Sequence, residues 1–167
     1  MTLAGDPSLT VRDAEEADVP TLMVLKGADS EQIHRDRLQE AQDGALRYLV
    51  LVHEQQVIGY VCLVFRRPED TLFMPHIDDL RLAEEHRGQG YGTAFIQELE
   101  RIAAAAGYHE IYISVEPDDN PRALALYQRL GYQQIQAKPY LNTWDYRTAD
   151  GQIHQGSDWI VDMVKPL

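Results

Sequence analysis

The chain has 167 residues, 44% of them hydrophobic and 25% charged, the balance of an ordinary soluble globular protein of one-domain size. Fifteen Lys and Arg against 27 Asp and Glu give a formal charge of −12, which repels phosphate backbones and anionic membranes and argues against nucleic-acid or membrane partners. Cys62 is the only cysteine, so an internal disulfide and a cysteine-rich zinc site are excluded.

No apolar run approaches the roughly 18 residues of a membrane span. Residues 1–7 lack the basic start and hydrophobic stretch of a secretory signal, so a cytoplasmic protein is expected, with residues 1–8 as a short tail before a single domain over 9–167. Leu9-Thr10-Val11-Arg12 reads as a strand, and Asp13 is placed to cap a helix over 14–26. Ser30 is placed to cap a second helix over 31–42, ended by Asp43-Gly44. Residues 47–53 and 57–65 are rich in β-branched and aromatic side chains, and the short Glu54-Gln55-Gln56 link predicts an antiparallel hairpin. A turn at 66–70, carrying Pro68, leads to a third meander strand over 72–82, irregular at or starting after Pro75.

Then the periodicity changes. Residues 92–106 put Phe95, Ile96, Leu99, Ile102, Ala103 and Ala106 on one helical stripe, with Gly107 just past the end. Residues 110–115 read as a strand, and Asn120-Pro121 as the cap and first residue of a helix ended by Gly131. Residues 132–136 and 158–164 are the expected last strands. The order β-α-α-β-β-β-α-β-α-β-β predicts an α/β fold, a mixed sheet in which an antiparallel meander is followed by βαβα units. Residues 137–157 show no clear element, a length that in a compact domain points to a functional loop. Its Tyr140, Trp144 and Tyr146 speak against disorder.

The most informative stretch is Arg87-Gly88-Gln89-Gly90-Tyr91-Gly92-Thr93, between the third meander strand and the long helix. Backbone amides at a helix start lack intrahelical partners and, with the helix dipole, form an anion seat. The spacing fits neither the dinucleotide fingerprint G-x-G-x-x-G nor a P-loop, and a flexible strand-to-helix turn is the plain alternative.

Arg87-x-x-Gly90-x-Gly92 resembles the R/Q-x-x-G-x-G/A signature of the GNAT superfamily of N-acetyltransferases. Leu80-Arg81-Leu82-Ala83-Glu84-Glu85-His86 is similar to the strand and turn before that signature, and residues 120–132 to the family's second motif. The resemblance implies acetyl-CoA as co-substrate. Its pyrophosphate would rest on the amides of Arg87, Gly88, Gln89, Gly90, Tyr91, Gly92 and Thr93. Its pantetheine arm would pair with the backbone at Leu80, Arg81 and Leu82, where neighbouring strands splay. Asn120 stands where relatives often hydrogen-bond the cofactor, although it also serves as a helix cap.

The resemblance further implies direct attack by an amine, with no covalent enzyme intermediate. Tyr127 stands where many relatives carry the acid that protonates the CoA thiolate, although it shares a helical face with Ala123 and Leu130 and could simply pack. For the base, the acidic pair Asp78 and Asp79 ranks above His76, the place of a glutamate in the histone-modifying branch. Alternation puts His76 and Asp78 on one face and Asp79 on the other unless a bulge shifts the phase. Cys62 reads as a core residue. The acceptor pocket is expected from residues 14–42 and 137–157, where Tyr140, Trp144, Asp145 and Tyr146 either hold a cationic group or anchor the loop. The histidines lack ligand spacing, and no metal is expected.

A primary amine, small rather than peptidic, is the expected acceptor. The alternatives are a protein or peptide amine, another acyl donor or an oxygen acceptor, an acyl-CoA sensor without turnover, and a purely structural domain. Homodimers are common in the family, which is analogy only.

Overall fold

The computed structural model describes residues 8–66, 73–148 and 150–167. The expected tail over 1–8 falls almost wholly outside them, as do most of the 66–70 turn and the first residue expected of the third meander strand. The strands are β1 (Leu9–Asp13), β2 (Leu46–His53), β3 (Gln56–Val64), β4 (His76–Leu82), β5 (Glu110–Val115), β6 (Gln133–Gln134), β7 (Tyr140–Arg147) and β8 (Ile153–Pro166). The helices are α1 (Val19–Lys26), α2 (Glu31–Gln42), α3 (Tyr91–Ala105) and α4 (Pro121–Arg129). The sheet runs β1-β2-β3-β4-β5-β8-β6, antiparallel throughout except for the parallel pair β4/β5, and β7 pairs with β8. This is the mixed α/β architecture expected from the element order.

The sheet separates two cores. On one face, Leu49, Leu51, Val61, Leu63 and Ile77 pack against the α3 stripe of Phe95, Ile96, Leu99 and Ala103, joined by Tyr127 of α4. The stripe works because positions three and four apart stack on one side of a helix. On the other face, Leu46, Tyr48, Val50, Tyr60, Cys62 and Val64 meet Leu22 of α1 and, at its edge, Leu38 of α2.

Four sequence expectations need correction. Ser30 stands just before α2, but its side chain makes no cap bond and its Oγ donates back to the Gly27 carbonyl. The first helix is preceded by a 3-10 turn, Glu16–Asp18, in which Asp18 accepts from the Glu15 amide and pairs with Arg12. Asp13 caps nothing, because its carboxylate is paired with Arg47 at 2.7 Å. The largest departure is residues 137–157, which form most of a β-ribbon, β7 against the first half of β8, closed by a turn at Thr148 and Gly151. Its alternation is real, but its residues are mostly polar or aromatic rather than aliphatic, so the backbone ladder and ring stacking hold it instead of a buried face. Trp144 stacks on Tyr146, and Tyr146 on His154, with centroids 6.0 and 5.2 Å apart.

Candidate active site

The site begins with a fault in β4. Between Tyr60 and Cys62, β3 contributes one residue, whereas β4 contributes two, Asp79 and Leu80, between Arg81 and Asp78. That extra residue is a β-bulge, and Asp79 takes φ 48, a left-handed conformation that aspartate tolerates better than most residues. A bulge bends and twists its strand. On its other side β4 pairs with β5 only at His76↔Tyr112 and Ile77↔Ile113. From Asp78 onward the two strands part, leaving the backbone of Asp78 to Leu82 facing a gap rather than a neighbouring strand. Such an edge is a template for a ligand that carries amides.

The bulge also decides the faces. His76 and Asp78 oppose Val64 and Cys62, which belong to the core on the α1/α2 side. Asp79, expected on the opposite face by strict alternation, is turned to the same side. There its Oδ2 accepts from Lys26 Nζ at 2.7 Å and Tyr60 OH at 3.1 Å, and pairs with Arg37 Nη2 at 2.8 Å. Its Oδ1 accepts from Arg81 Nε at 3.0 Å. Burial alone would raise its pKa, but Arg37, Lys26 and Arg81 hold it well below the usual carboxylate range.

The glycine loop follows at the end of β4. Gly88 and Gly90 have φ 75 and 87, values at which a side chain would strain the backbone. No heavy atom outside the immediate chain neighbours lies within 4 Å of where a Cβ would stand on either one. Gly90 is the residue before α3, and the first helical bond runs from the Ala94 amide to its carbonyl, so the amides ahead of Ala94 are not consumed by the helix. Arg87 Nε donates to the Leu82 carbonyl at 3.1 Å, tying the loop to β4. A run of amides not consumed by the helix, beside a strand edge that β5 leaves unpaired, fits a phosphate-bearing, amide-bearing cofactor such as acetyl-CoA.

Tyr127 is 7% exposed and packs in the α3/α4 core, its ring centroid 6.1 Å from that of Tyr132. Burial pushes its hydroxyl up to about 12, and among the described residues that hydroxyl has no hydrogen-bond partner. Asn120 caps α4, its Oδ1 accepting from the Ala123 amide at 3.3 Å. Cys62 is buried, which pushes its thiol up to about 12 and leaves it inert. Of the aromatics at the ribbon, Tyr140 donates to Asp162 at 2.8 Å and Trp144 Nε1 to Asp158 at 2.5 Å.

Residues without a motif complete the site. Ser114, one residue past the last β4/β5 pair, lies 3.2 Å from His76 Nε2 and donates to Asp162 at 2.6 Å. Lys26 and Arg37 come from α1 and α2. Nothing in their local sequence marks any of them, because each acquires its role from a partner distant in the chain. Glu116, just beyond β5, is pushed up by burial and by Asp158 and Asp119. A groove of about 600 Å³ at Val19, Met23, Gly27 and Arg35 is lined by none of the β4 or α3 residues above. Among the described residues no three His, Cys, Asp or Glu side chains are grouped to hold a metal, and no helix is long and apolar enough to cross a membrane.

A bulged strand that parts from its parallel neighbour beside a glycine-led helix defines an acyl-CoA-binding acetyltransferase fold. The chain belongs to the acetyltransferase (GNAT) family, whose model matches residues 12–132. It is similar to a solved ribosomal-protein-alanine N-acetyltransferase from Brucella melitensis, at 24% identity over 95% of this chain and 99% of that one, with a TM-score of 0.68. A phosphinothricin acetyltransferase from Sinorhizobium meliloti in complex with acetyl-CoA matches at 25% identity over 96% and 89%, with a TM-score of 0.67. A spermidine N-acetyltransferase from Vibrio cholerae in complex with CoA and spermine matches at 19% identity over 96% of both chains, with a TM-score of 0.69.

Proposed function

We propose that residues 9–167 act as one cytoplasmic N-acetyltransferase domain that moves an acetyl group from acetyl-CoA to the primary amine of a small molecule, by direct attack in a ternary complex. The observation that carries this reading is the gap opened between β4 and β5 by the Asp79 bulge, directly before the Arg87 to Gly90 loop.

Acetyl-CoA supplies an acetyl carbon activated as a thioester. The amides of Gly88 to Thr93 would hold its pyrophosphate, and the backbone of Leu80, Arg81 and Leu82 its pantetheine amides. The amine nitrogen bonds to the acetyl carbon, the carbon–sulfur bond breaks, and the amine's proton leaves to a base. An ordinary primary amine has a pKa of about 10, so that base is needed near neutral pH. Asp79 is unsuited: protonating it would strip Lys26, Arg37 and Arg81 of their counter-charge. His76 and Asp78, at the mouth of the gap, take its place, and His76 ranks first because imidazole titrates near neutrality. Amides along the bulged edge meet the oxygen as it gains charge. Tyr127, protonated throughout the working range, donates to the leaving sulfur.

A second reading, a peptide amino terminus as acceptor, draws support from the ribbon, where Leu141 is 49% and Trp159 60% exposed. Incubating the protein with acetyl-CoA and polyamine, amino-acid and peptide amines, with thiol release and product mass as readouts, separates the readings. Turnover confined to peptides would move the assignment to the second, and CoA binding without any turnover would make the chain a sensor.

A further inference from the structure

We propose that Gly59 in β3, by carrying no side chain, sets where the cofactor edge of β4 lies, and that the Leu82 side chain carries this position across to the start of α3. Both are positioning residues: they fix the spacing between the backbone that would hold the pantetheine arm of acetyl-CoA and the amides that would hold its diphosphate. The inference rests on the placement of that arm along Leu80, Arg81 and Leu82.

Gly59 is buried, opposite Leu51 of β2 and Leu82 of β4. It sits between two register faults, one against β2 at Leu51/Val52 and the Asp79 bulge in β4. Past that bulge, Tyr60↔Arg81 and Gly59↔Leu82 are the pairs that locate β4, and the Ala83 amide donates to the Ile58 carbonyl at 2.8 Å. A Cβ on Gly59 would stand 2.6 Å from the Arg81 carbonyl oxygen and 2.5 Å from Leu82 Cδ2. The leucine methyl belongs to a flexible side chain and can turn aside, whereas the carbonyl belongs to the strand itself. To regain a separation of about 3.5 Å, β4 would have to withdraw from β3 by about 1 Å. Glycine inside a strand weakens it, and close approach of another backbone is a reason to place one there. β5 pairs with β4 only as far as Ile77, so nothing on that side opposes the push, and Leu80 to Leu82 would move into the gap.

Leu82 ties this edge to the glycine loop twice. Its carbonyl accepts from Arg87 Nε at 3.1 Å. Its side chain packs on the α3 core and crosses to the second residue of that helix, with Cδ1 3.5 Å from where a Cβ on Gly92 would stand. A shift of β4 therefore alters the distance from its edge to the amides at the start of α3. CoA joins its diphosphate to its pantetheine arm covalently, so a site whose two halves have moved apart must give up contacts at one end. A ligand that carries only one of those parts does not sense the spacing.

Calorimetric titration with CoA and with adenosine 3′-phosphate 5′-diphosphate, which keeps the diphosphate and lacks the arm, tests this in the wild type and in Gly59→Ala. The wild type should bind CoA the tighter of the two. Gly59→Ala should weaken CoA by at least about tenfold, within the range of a misplacement of about 1 Å, and leave the nucleotide within about twofold. A packing role alone would move both ligands together or neither, so equal losses, or an unchanged CoA dissociation constant, would overturn the role of Gly59. Should Gly59→Ala not fold, Leu82→Ala against Leu82→Met decides: the same split should appear in the first, which loses the reach to α3, and not in the second, which keeps it. Equal losses in Leu82→Ala, or none, would overturn the proposal as well. Equal binding of the two ligands by the wild type would remove the arm from β4 and the inference with it, so a failure of that placement shows in the unaltered protein, before any variant is compared.

Discussion

Replacing Asp79 by Asn tests whether this carboxylate is a structural counter-charge or the catalytic base. The change keeps the shape and removes the charge that Lys26, Arg37 and Arg81 share. Breaking a buried ion pair by removing one partner costs about 3–5 kcal/mol, since the other charge stays behind uncompensated. The side chains of Asp79, Arg37 and Lys26 are 15, 15 and 20% exposed, so residual solvent favours the lower end, about 3 kcal/mol. For a chain of this size each kcal/mol moves Tm by about 2–4 °C, giving a fall of about 6–12 °C. Because the folded pKa lies below the unfolded one, the stabilisation is present above about pH 4 and is lost as pH falls further. Urea melts of both proteins at pH 7 and at pH 3 should therefore show a gap that narrows in acid. A loss below about 0.5 kcal/mol at pH 7, the range of an ordinary surface substitution, would refute the counter-charge role.

Tyr127→Phe should lower kcat by about 10²–10⁴-fold while the CoA dissociation constant from calorimetry stays within a factor of two or so. Gly90→Val should weaken CoA binding by at least about tenfold, because a β-branched residue at φ 87 distorts the loop at a cost of about 1–3 kcal/mol; unimpaired binding would contradict the anion seat. His34 is buried between Tyr48 and Ser30, and burial lowers its pKa to about 4. Its unfolded form takes up a proton first, so stability should decline as pH falls from about 6.5 to 4, by about 2–3 kcal/mol, and His34→Gln should flatten that slope in thermal melts.

What was legible in the sequence was what short-range chemistry decides. The α3 stripe, the loop from Arg87 to Gly92 and the Asn120-Pro121 cap are each written within a few consecutive residues, and the structure places each on the element expected. The bulge was not legible, because an extra residue in β4 exists only relative to β3. Without it His76, Asp78 and Asp79 differ only by motif position, and the bond that ties Asp79 to Lys26, 53 residues away, stays hidden. Ser114 and Asp162, 48 residues apart, carry no motif and meet only through the β5/β8 register. The ribbon reads as a loop because alternation among Asn, Thr, Asp, Gln and Ser offers no apolar face to count.

β8 is one continuous strand with two employers. Val161 to Pro166 are committed to the main sheet, to β5 on one side and at Met163 and Val164 to β6 on the other, while Ile153 to Ile160 pair with β7. Residues toward the tip of that arm can be exchanged, shortened or extended without touching a single rung at its root. Under the proposed function, selection acting on the arm could thus retune the acceptor while the part that would handle the thioester is inherited unchanged.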